Sequence, residues 1–216
     1  MNREERREIL KEQGLLNHFN TIYADPPHPK GQRGKHGASQ YYDLMTQQQM
    51  ENMPIADIAA ENAHLYMWVT NGSIPEGIKL MEAWGFSFKN IFTWVKSGNE
   101  LSLGTYFRNN TENVLFGVRG SAPVKFKAQP NWMFAPRQDH SHKPEEMFSV
   151  IERMSPGPYL ELFARRQPTS AHPEEWSVWG NEIESDLFIP DYPVPKYSDK
   201  VILPNLKEEL LYGQPT

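Results

Sequence analysis

The stretch Thr21-Ile22-Tyr23-Ala24-Asp25-Pro26-Pro27-His28 decides how the rest of the chain is read. Residues 21–24 are β-branched, aromatic and small, which suits a strand covered on both faces. Pro26 and Pro27 have no backbone N–H, so the strand cannot go on as a central ladder. Asp25 is therefore expected at the carboxyl end of a strand, and in open α/β sheets that edge is where ligands bind.

Each proline fixes its own φ and pushes the preceding residue out of the helical region. The carbonyls of Asp25 and Pro26 are then held stiffly beside a carboxylate. Together they form a set of acceptors for an exocyclic –NH2 group, with His28 able to lie on the face of a planar base. Such a tip can grip both hydrogens of an amine and turn its lone pair toward a methyl donor. The same residues also read as a plain strand-ending turn, since Pro and Asp dominate turns.

Outward from this stretch, residues 1–13 are expected to form a charged helix, solvated or loosely docked, with Ile9 and Leu10 its only apolar pair. Residues 29–43 form a Gly-rich basic loop long enough to be functional. Its Lys30, Arg33 and Lys35 suit phosphate contacts, with Tyr41 and Tyr42 following. An ordinary surface loop is the other reading. Thr46 and Gln49 make a capping box for a short helix. A turn or two over residues 55–60 and a strand over 64–70 come next. Ile74, Ile78, Leu80 and Met81 define the inner face of a helix over 74–84, with Pro75 in its first turn and Gly85 at its stop. Residues 86–96 read as a strand or strand pair. Residues 97–111 read as a second long loop, whose Arg108 is counted with the substrate contacts. Residues 112–118 read as a strand, 124–127 as a short edge strand, and 131–142 as irregular. Lys143, Pro144, Glu145 and Glu146 start a helix, with Pro in its first turn, that runs to Met154. Two strands complete the pattern, at 159–164 and 176–182. Strands alternating with helices predict an α/β sheet. Residues 184–216, with five prolines, read as a tail that wraps the domain or extends from it. The expected division is thus 1–183 as one domain and 184–216 as the tail.

Composition sets bounds. The 216 residues favour one α/β domain. With 22 Lys+Arg against 27 Asp+Glu, the net charge of -5 argues against coating nucleic acid by bulk charge. Any such binding must use a local basic patch. No cysteine is present, which excludes disulfides and thiolate metal sites and is compatible with a cytoplasmic protein. The charged start carries no apolar signal-peptide core, and no run approaches a membrane span. Several of the six Trp, nine Tyr and eleven Phe belong to a core, but those near the tip loops could be stacking platforms.

The order of the blocks resembles the S-adenosyl-L-methionine (SAM)-dependent adenine-N6 methyltransferases of the MT-A70-like family, founded on the mRNA adenosine methylase catalytic subunit, with bacterial and phage relatives. The blocks are Tyr23-Ala24-Asp25-Pro26-Pro27, Leu65-Tyr66-Met67-Trp68-Val69-Thr70, Thr93-Trp94-Val95-Lys96, Phe116-Gly117-Val118-Arg119-Gly120, Ser141-His142-Lys143-Pro144-Glu145-Glu146, Ile151-Glu152-Arg153-Met154-Ser155-Pro156-Gly157, Glu161-Leu162-Phe163-Ala164-Arg165 and Trp179-Gly180-Asn181. The resemblance implies a Rossmann-like methyltransferase sheet in permuted order, with the catalytic strand early and the cofactor strand late. It implies SAM as methyl donor, the adenine amine of a nucleic acid as acceptor, and no metal. DNA is expected ahead of RNA, by analogy with compact bacterial and phage DNA methylases. The catalytic tip would be Asp25, Pro26, Pro27 and His28, with Asp25 between the SAM amino group and the target amine. Lys143 would pair with the SAM carboxylate, Glu161 and Arg165 would bind the ribose, and Asn181 and Glu182 would reach the ribose or adenine end.

The types of residue agree with those roles. A strand-end acid can accept both ribose hydroxyls, and Lys is a compact point charge for a carboxylate. Two positions depart from the family: His28 stands where Trp is usual, and Glu182 where a relative carries an amide. Imidazole stacks with less area and titrates near neutrality. A non-catalytic nucleic-acid-binding partner subunit, a homodimer, and methylation of a cytosine amine remain as other expectations.

Overall fold

The structure is a computed structural model that describes residues 1–27, 45–98, 106–138 and 142–192. Seven strands make one sheet among these residues: β1 (Phe19–Ala24), β2 (Ala59–Val69), β3 (Ser87–Ser97), β4 (Thr111–Arg119), β5 (Trp132–Pro136), β6 (Tyr159–Leu162) and β7 (Trp176–Trp179). Their order is β5-β3-β4-β2-β1-β6-β7. β4 runs antiparallel to both neighbours, and every other pairing is parallel. The six co-directional strands therefore end on one edge, as in Rossmann-like methyltransferase sheets. β1 lies between β2 and β6. The chain thus leaves β1 to one side and returns much later on the other, a switch point of the kind that opens a ligand crevice.

The helices are α1 (Arg3–Glu12), α2 (Gln47–Glu51), α3 (Ile55–Ile58), α4 (Ile74–Ala83) and α5 (Glu146–Met154). The Thr46–Gln49 capping box opens α2. The two faces of the sheet bury different sets of side chains, as the period of two requires. Ile22, Ala24, Leu65, Met67, Val69, Leu115, Leu160 and Leu162 pack with Leu80 and Met81 of α4. Tyr23, Tyr66, Trp68, Trp94, Val114 and Tyr159 pack on the other face with Met147, Val150 and Ile151 of α5. α4 sits close to the sheet because Gly77 has no side chain; a Cβ there would lie 2.5 Å from Val69 Cγ1. On the α5 face, buried His64 lies 2.7 Å from Ser155 Oγ and 2.9 Å from the Ala122 carbonyl. The carbonyl only accepts, so Nε2 carries the proton and Nδ1 accepts from Ser155, fixing the end of α5 to β2.

Four expectations change. Residues 124–127 are not a strand: the Lys125 backbone N–H bonds to the Met154 carbonyl at 2.8 Å, which ties that segment to α5. The edge strand is β5 instead, inside the stretch read as irregular. Trp132-Met133-Phe134-Ala135 is apolar throughout, so the sequence shows no alternation even though its burial alternates. α5 begins at Glu146, leaving Lys143 and Pro144 ahead of it. Finally, α1 is firmly docked. Leu10 is fully buried, and Arg3 and Arg7 both pair with Asp57 of α3.

Residues 184–192 pack onto the domain, with Leu187, Phe188 and Ile189 buried. Gln13, which caps α1, exchanges two 3.0 Å hydrogen bonds with the Phe188 backbone. Arg6 Nε lies 3.3 Å from Asp191. No helix of the described residues is long and apolar enough to cross a membrane.

Candidate active site

Asp25 follows the last residue of β1, and its backbone N–H reaches the Leu162 carbonyl of β6 at 3.4 Å. It lies on the α5 face, because it stands two residues after Tyr23. The extended segment before α5 carries Lys143 across to it, and Lys143 Nζ donates to Asp25 Oδ2 at 2.7 Å. The same ammonium lies 3.6 Å from Glu112 Oε2 and 5.5 Å from the centre of the Trp68 ring. Glu112 is also paired with Lys96, which lies 4.7 Å over the Trp94 ring. The result is a row of alternating charges, Asp25, Lys143, Glu112 and Lys96, over a floor of two indoles. The Trp68 N–H is satisfied by the Tyr23 hydroxyl at 2.6 Å.

Burial alone would raise the pKa of Glu112. The charges of Lys143 and Lys96, with their hydrogen bonds, outweigh it and hold the carboxyl below its ordinary value. Glu161 is the opposite case. It sits in β6, paired in register with Tyr23, and its Oε2 is buried without a hydrogen-bond partner. Burial first, and then the nearby Asp25 charge, push its pKa up to about 8. A carboxyl left unsatisfied in a cleft is an acceptor held in reserve.

Asp25, Lys143, Glu161 and Arg165 line one open cleft, together with Tyr23, Phe163, His142 and Glu145. The structure thus brings together four of the residues read from the sequence. Gly180, just after β7, presses on the chain beyond β6: a Cβ there would lie 1.9 Å from the Ala164 carbonyl. This contact sets Arg165 beside Glu182, with Nε 2.8 Å from Oε1 and Nη2 donating to Oε2 at 3.1 Å. Asn181 is exposed in the turn and does not line the cleft. Pro26 is buried and Pro27 half-buried behind Asp25. Arg108 is exposed ahead of β4. His28, Lys30, Arg33, Lys35, Tyr41 and Tyr42 lie outside the described residues.

Sequence reasoning missed Glu112 and gave Lys96 no role. The available signal was a lysine and an acid at facing ends of two successive strands, brought together by the register Trp94 with Glu112.

The SAM-type cofactor that the resemblance implies needs acceptors for ribose hydroxyls and for an ammonium, and a cation for a carboxylate. The unpartnered Glu161 oxygen, Asp25 and Lys143 fit that donor set.

A parallel-rich sheet with a carboxylate at its switch point and an unsatisfied acid on the adjacent strand is consistent with a Rossmann-like methyltransferase fold. Residues 19–182 match the MT-A70 family model, and the chain belongs to that family. It is 28% identical over 202 residues to the N(6)-adenosine-methyltransferase catalytic subunit METTL3 of Homo sapiens, covering 87% of this chain and 33% of that protein. It is 27% identical over 177 residues to the N(6)-adenosine-methyltransferase MT-A70-like of Arabidopsis thaliana, covering 78% and 24%. It is 28% identical over 188 residues to the type II methyltransferase M.MunI of Mycoplasma sp, covering 76% and 78%. The chain spans about a quarter to a third of the length of the plant and human relatives.

Proposed function

We propose that this chain transfers a methyl group from SAM to the exocyclic N6 amine of adenine in nucleic acid, with DNA ahead of RNA. One observation carries the reading: Asp25 at the β1 end, bonded to Lys143, lines the same cleft as Glu161, whose Oε2 is buried without a hydrogen-bond partner. The preference for DNA is supported by the alignment, which runs through 78% of the Mycoplasma methyltransferase but only 33% of the human protein.

The cofactor supplies an electrophilic methyl group on a sulfonium. The protein's own work is placement and charge, since alignment and preorganised dipoles dominate this kind of transfer. The Asp25 carboxylate and the Pro26 carbonyl accept the two amine hydrogens and fix the direction of the nitrogen lone pair. Lys143 holds a carboxylate, while Glu112 and Lys96 keep its ammonium from wandering. Glu161 accepts from hydroxyls at the far side of the cleft. The amine proton leaves to Asp25 or to water. In a duplex the target base must first leave the stack.

The test is methyl transfer from labelled SAM to duplex DNA, single-stranded DNA and RNA, with Asp25→Ala alongside. Label on adenine N6 in one acceptor, lost in the variant, supports the reading and fixes the acceptor class. SAM binding without label in any acceptor points to a partner subunit instead.

A further inference from the structure

The four most exposed large apolar side chains described are Tyr106 (93%), Phe107 (83%), Phe134 (64%) and Trp132 (51%). Two of them sit on the edge strand β5 and two in the segment that leads into β4. Trp132 and Phe134 alternate along β5, the outermost strand, with ring centres 5.2 Å apart and planes at 75°. Their register partners are Thr93 and Val95 of β3, which puts them on the α4 face. Here α4 does not reach, and no helix lies between β4 and β5 to extend the cover.

On the same face, Thr93 donates to Asn113 at 2.9 Å, Asn113 to Asn71 at 2.7 Å, and Asn71 to Asn109 at 3.3 Å. This strip of hydroxyl and amide groups leads from β5 to the segment with Tyr106 and Phe107. Residues 106–111 and 131–138 carry two charged side chains, Arg108 and Arg137, and no acid. Both arginines are exposed. In a chain of net charge -5, this edge offers exposed arginines beside exposed aromatic rings. It reaches the edge of the sheet over which the cleft opens on the opposite face: Lys96, at the end of the Asp25–Lys143–Glu112 row, pairs in register with Ala135, which faces away from Trp132 and Phe134.

Resting on the adenine-methylation reading, we propose that this end of the sheet is the track for the nucleic-acid strand flanking the target base. Unpaired bases stack on Trp132 and Phe134, and phosphates meet Arg108 and Arg137. An aromatic face accepts any base because every base has a π-face, and arginines supply the backbone contacts. A hydrophobic protein partner fits the site less well, because the aromatic pair is bordered by arginines and hydrogen-bonding side chains.

The experiment measures binding of a fluorescent 20-nucleotide single-stranded DNA by anisotropy, alongside SAM affinity and the KM for the nucleic acid. The variants are Trp132→Ala/Phe134→Ala and the rescue pair Trp132→Phe/Phe134→Tyr. The alanine pair is expected to weaken DNA binding and raise KM by about tenfold or more, with SAM affinity unchanged; the aromatic pair is expected to restore both. Arg108→Ala and Arg137→Ala should each lower the salt slope of binding by about 0.7. DNA affinity and KM within twofold of wild type in the alanine pair would overturn the track, while methyl transfer by that variant would leave the active-site reading standing. The same null result together with a dimer-to-monomer change in sedimentation would also overturn it, and would assign the face to a second copy of the chain. Absence of methyl transfer and DNA binding in wild type would sink both readings together.

Discussion

Two buried-to-half-buried acids in this molecule live in opposite circumstances. Asp57, beneath α1, is paired with Arg3 and Arg7. Burial works against its charge, but the two guanidiniums prevail and its pKa lies below the ordinary value. Glu161, in the cleft, has a bare oxygen and a pKa pushed up to about 8 by burial and by Asp25. The first acid is spent on architecture, fastening the N-terminal helix to the domain. The second leaves its bonding capacity unused, at a cost in stability that a structural residue would have no reason to carry. Of these two acids, the one with a bare oxygen lies at the working edge of the sheet, and the fully paired one is a support.

The comparison breaks most sharply at Asp25. Asp25→Ala should lower methyl transfer by at least about a hundredfold while leaving the fold intact, because Asp25 is one-third exposed, at 36% for its side chain, and Lys143 retains Glu112. A Tm falling in step with activity would instead make Asp25 a support like Asp57.

Asp57→Ala should do the reverse. Its carboxylate is only 8% exposed and clasps α1, so removing it should lower Tm by about 2–6 °C, with SAM affinity unchanged. Thermal melts with and without cofactor check this. An unchanged Tm would mean that Leu10 and the Gln13–Phe188 bonds hold α1 without the acid.

Much of this contrast was legible before any coordinates. Asp25 could be placed because prolines end a strand wherever they fall, and Glu161 because an apolar run closed by arginines reads as a strand with an acid on it. Lys143 was legible from its block, though its position ahead of α5 was not, because capping chemistry leaves helix starts uncertain by a turn. Glu112 escaped because its meaning lies in a register between strands, which local pattern does not encode. β5 escaped because a uniformly apolar tetrapeptide hides a period of two. Residues 187–189 are three apolar side chains among prolines, too few to choose between a tail that wraps the domain and one that extends from it; the bonds to Gln13, far away in sequence, place Phe188 against the domain.

Glu161 offers a sharper test through pH. Its folded pKa is raised, so the fold gains most when the carboxyl is protonated. That contribution is fully present below the ordinary carboxylate range and is lost as pH climbs through about 8. Ligand-free wild type should therefore lose Tm between about pH 5 and about pH 9 relative to Glu161→Gln, which lacks the titrating group. The same variant should bind SAM about tenfold more weakly, losing an ionisable acceptor for ribose hydroxyls. Parallel Tm–pH curves would show that Glu161 carries its charge in the empty cleft after all, and the contrast with Asp57 would fail.

The smallest effect is expected at Glu182, where a carboxylate holds Arg165 at the rim. The side chains are 31% and 42% exposed, so solvent screens the pair and its contribution to stability is slight. Glu182→Gln should shift Tm by less than about 1 °C. Its consequence lies in what Arg165 does next. Tied to Glu182, the guanidinium is drawn to the outer wall of the cleft; facing an amide, it loses a charged partner and can turn inward. SAM affinity, measured by calorimetry, should then rise about two- to fivefold, the scale of freeing one exposed ion pair. A fall in affinity with Tm unchanged would reverse the assignment and make the Glu182 carboxylate itself a contact to the cofactor. Arg165→Ala separates the two cases: if Glu182 only restrains Arg165, adding Glu182→Gln to that variant should change nothing further.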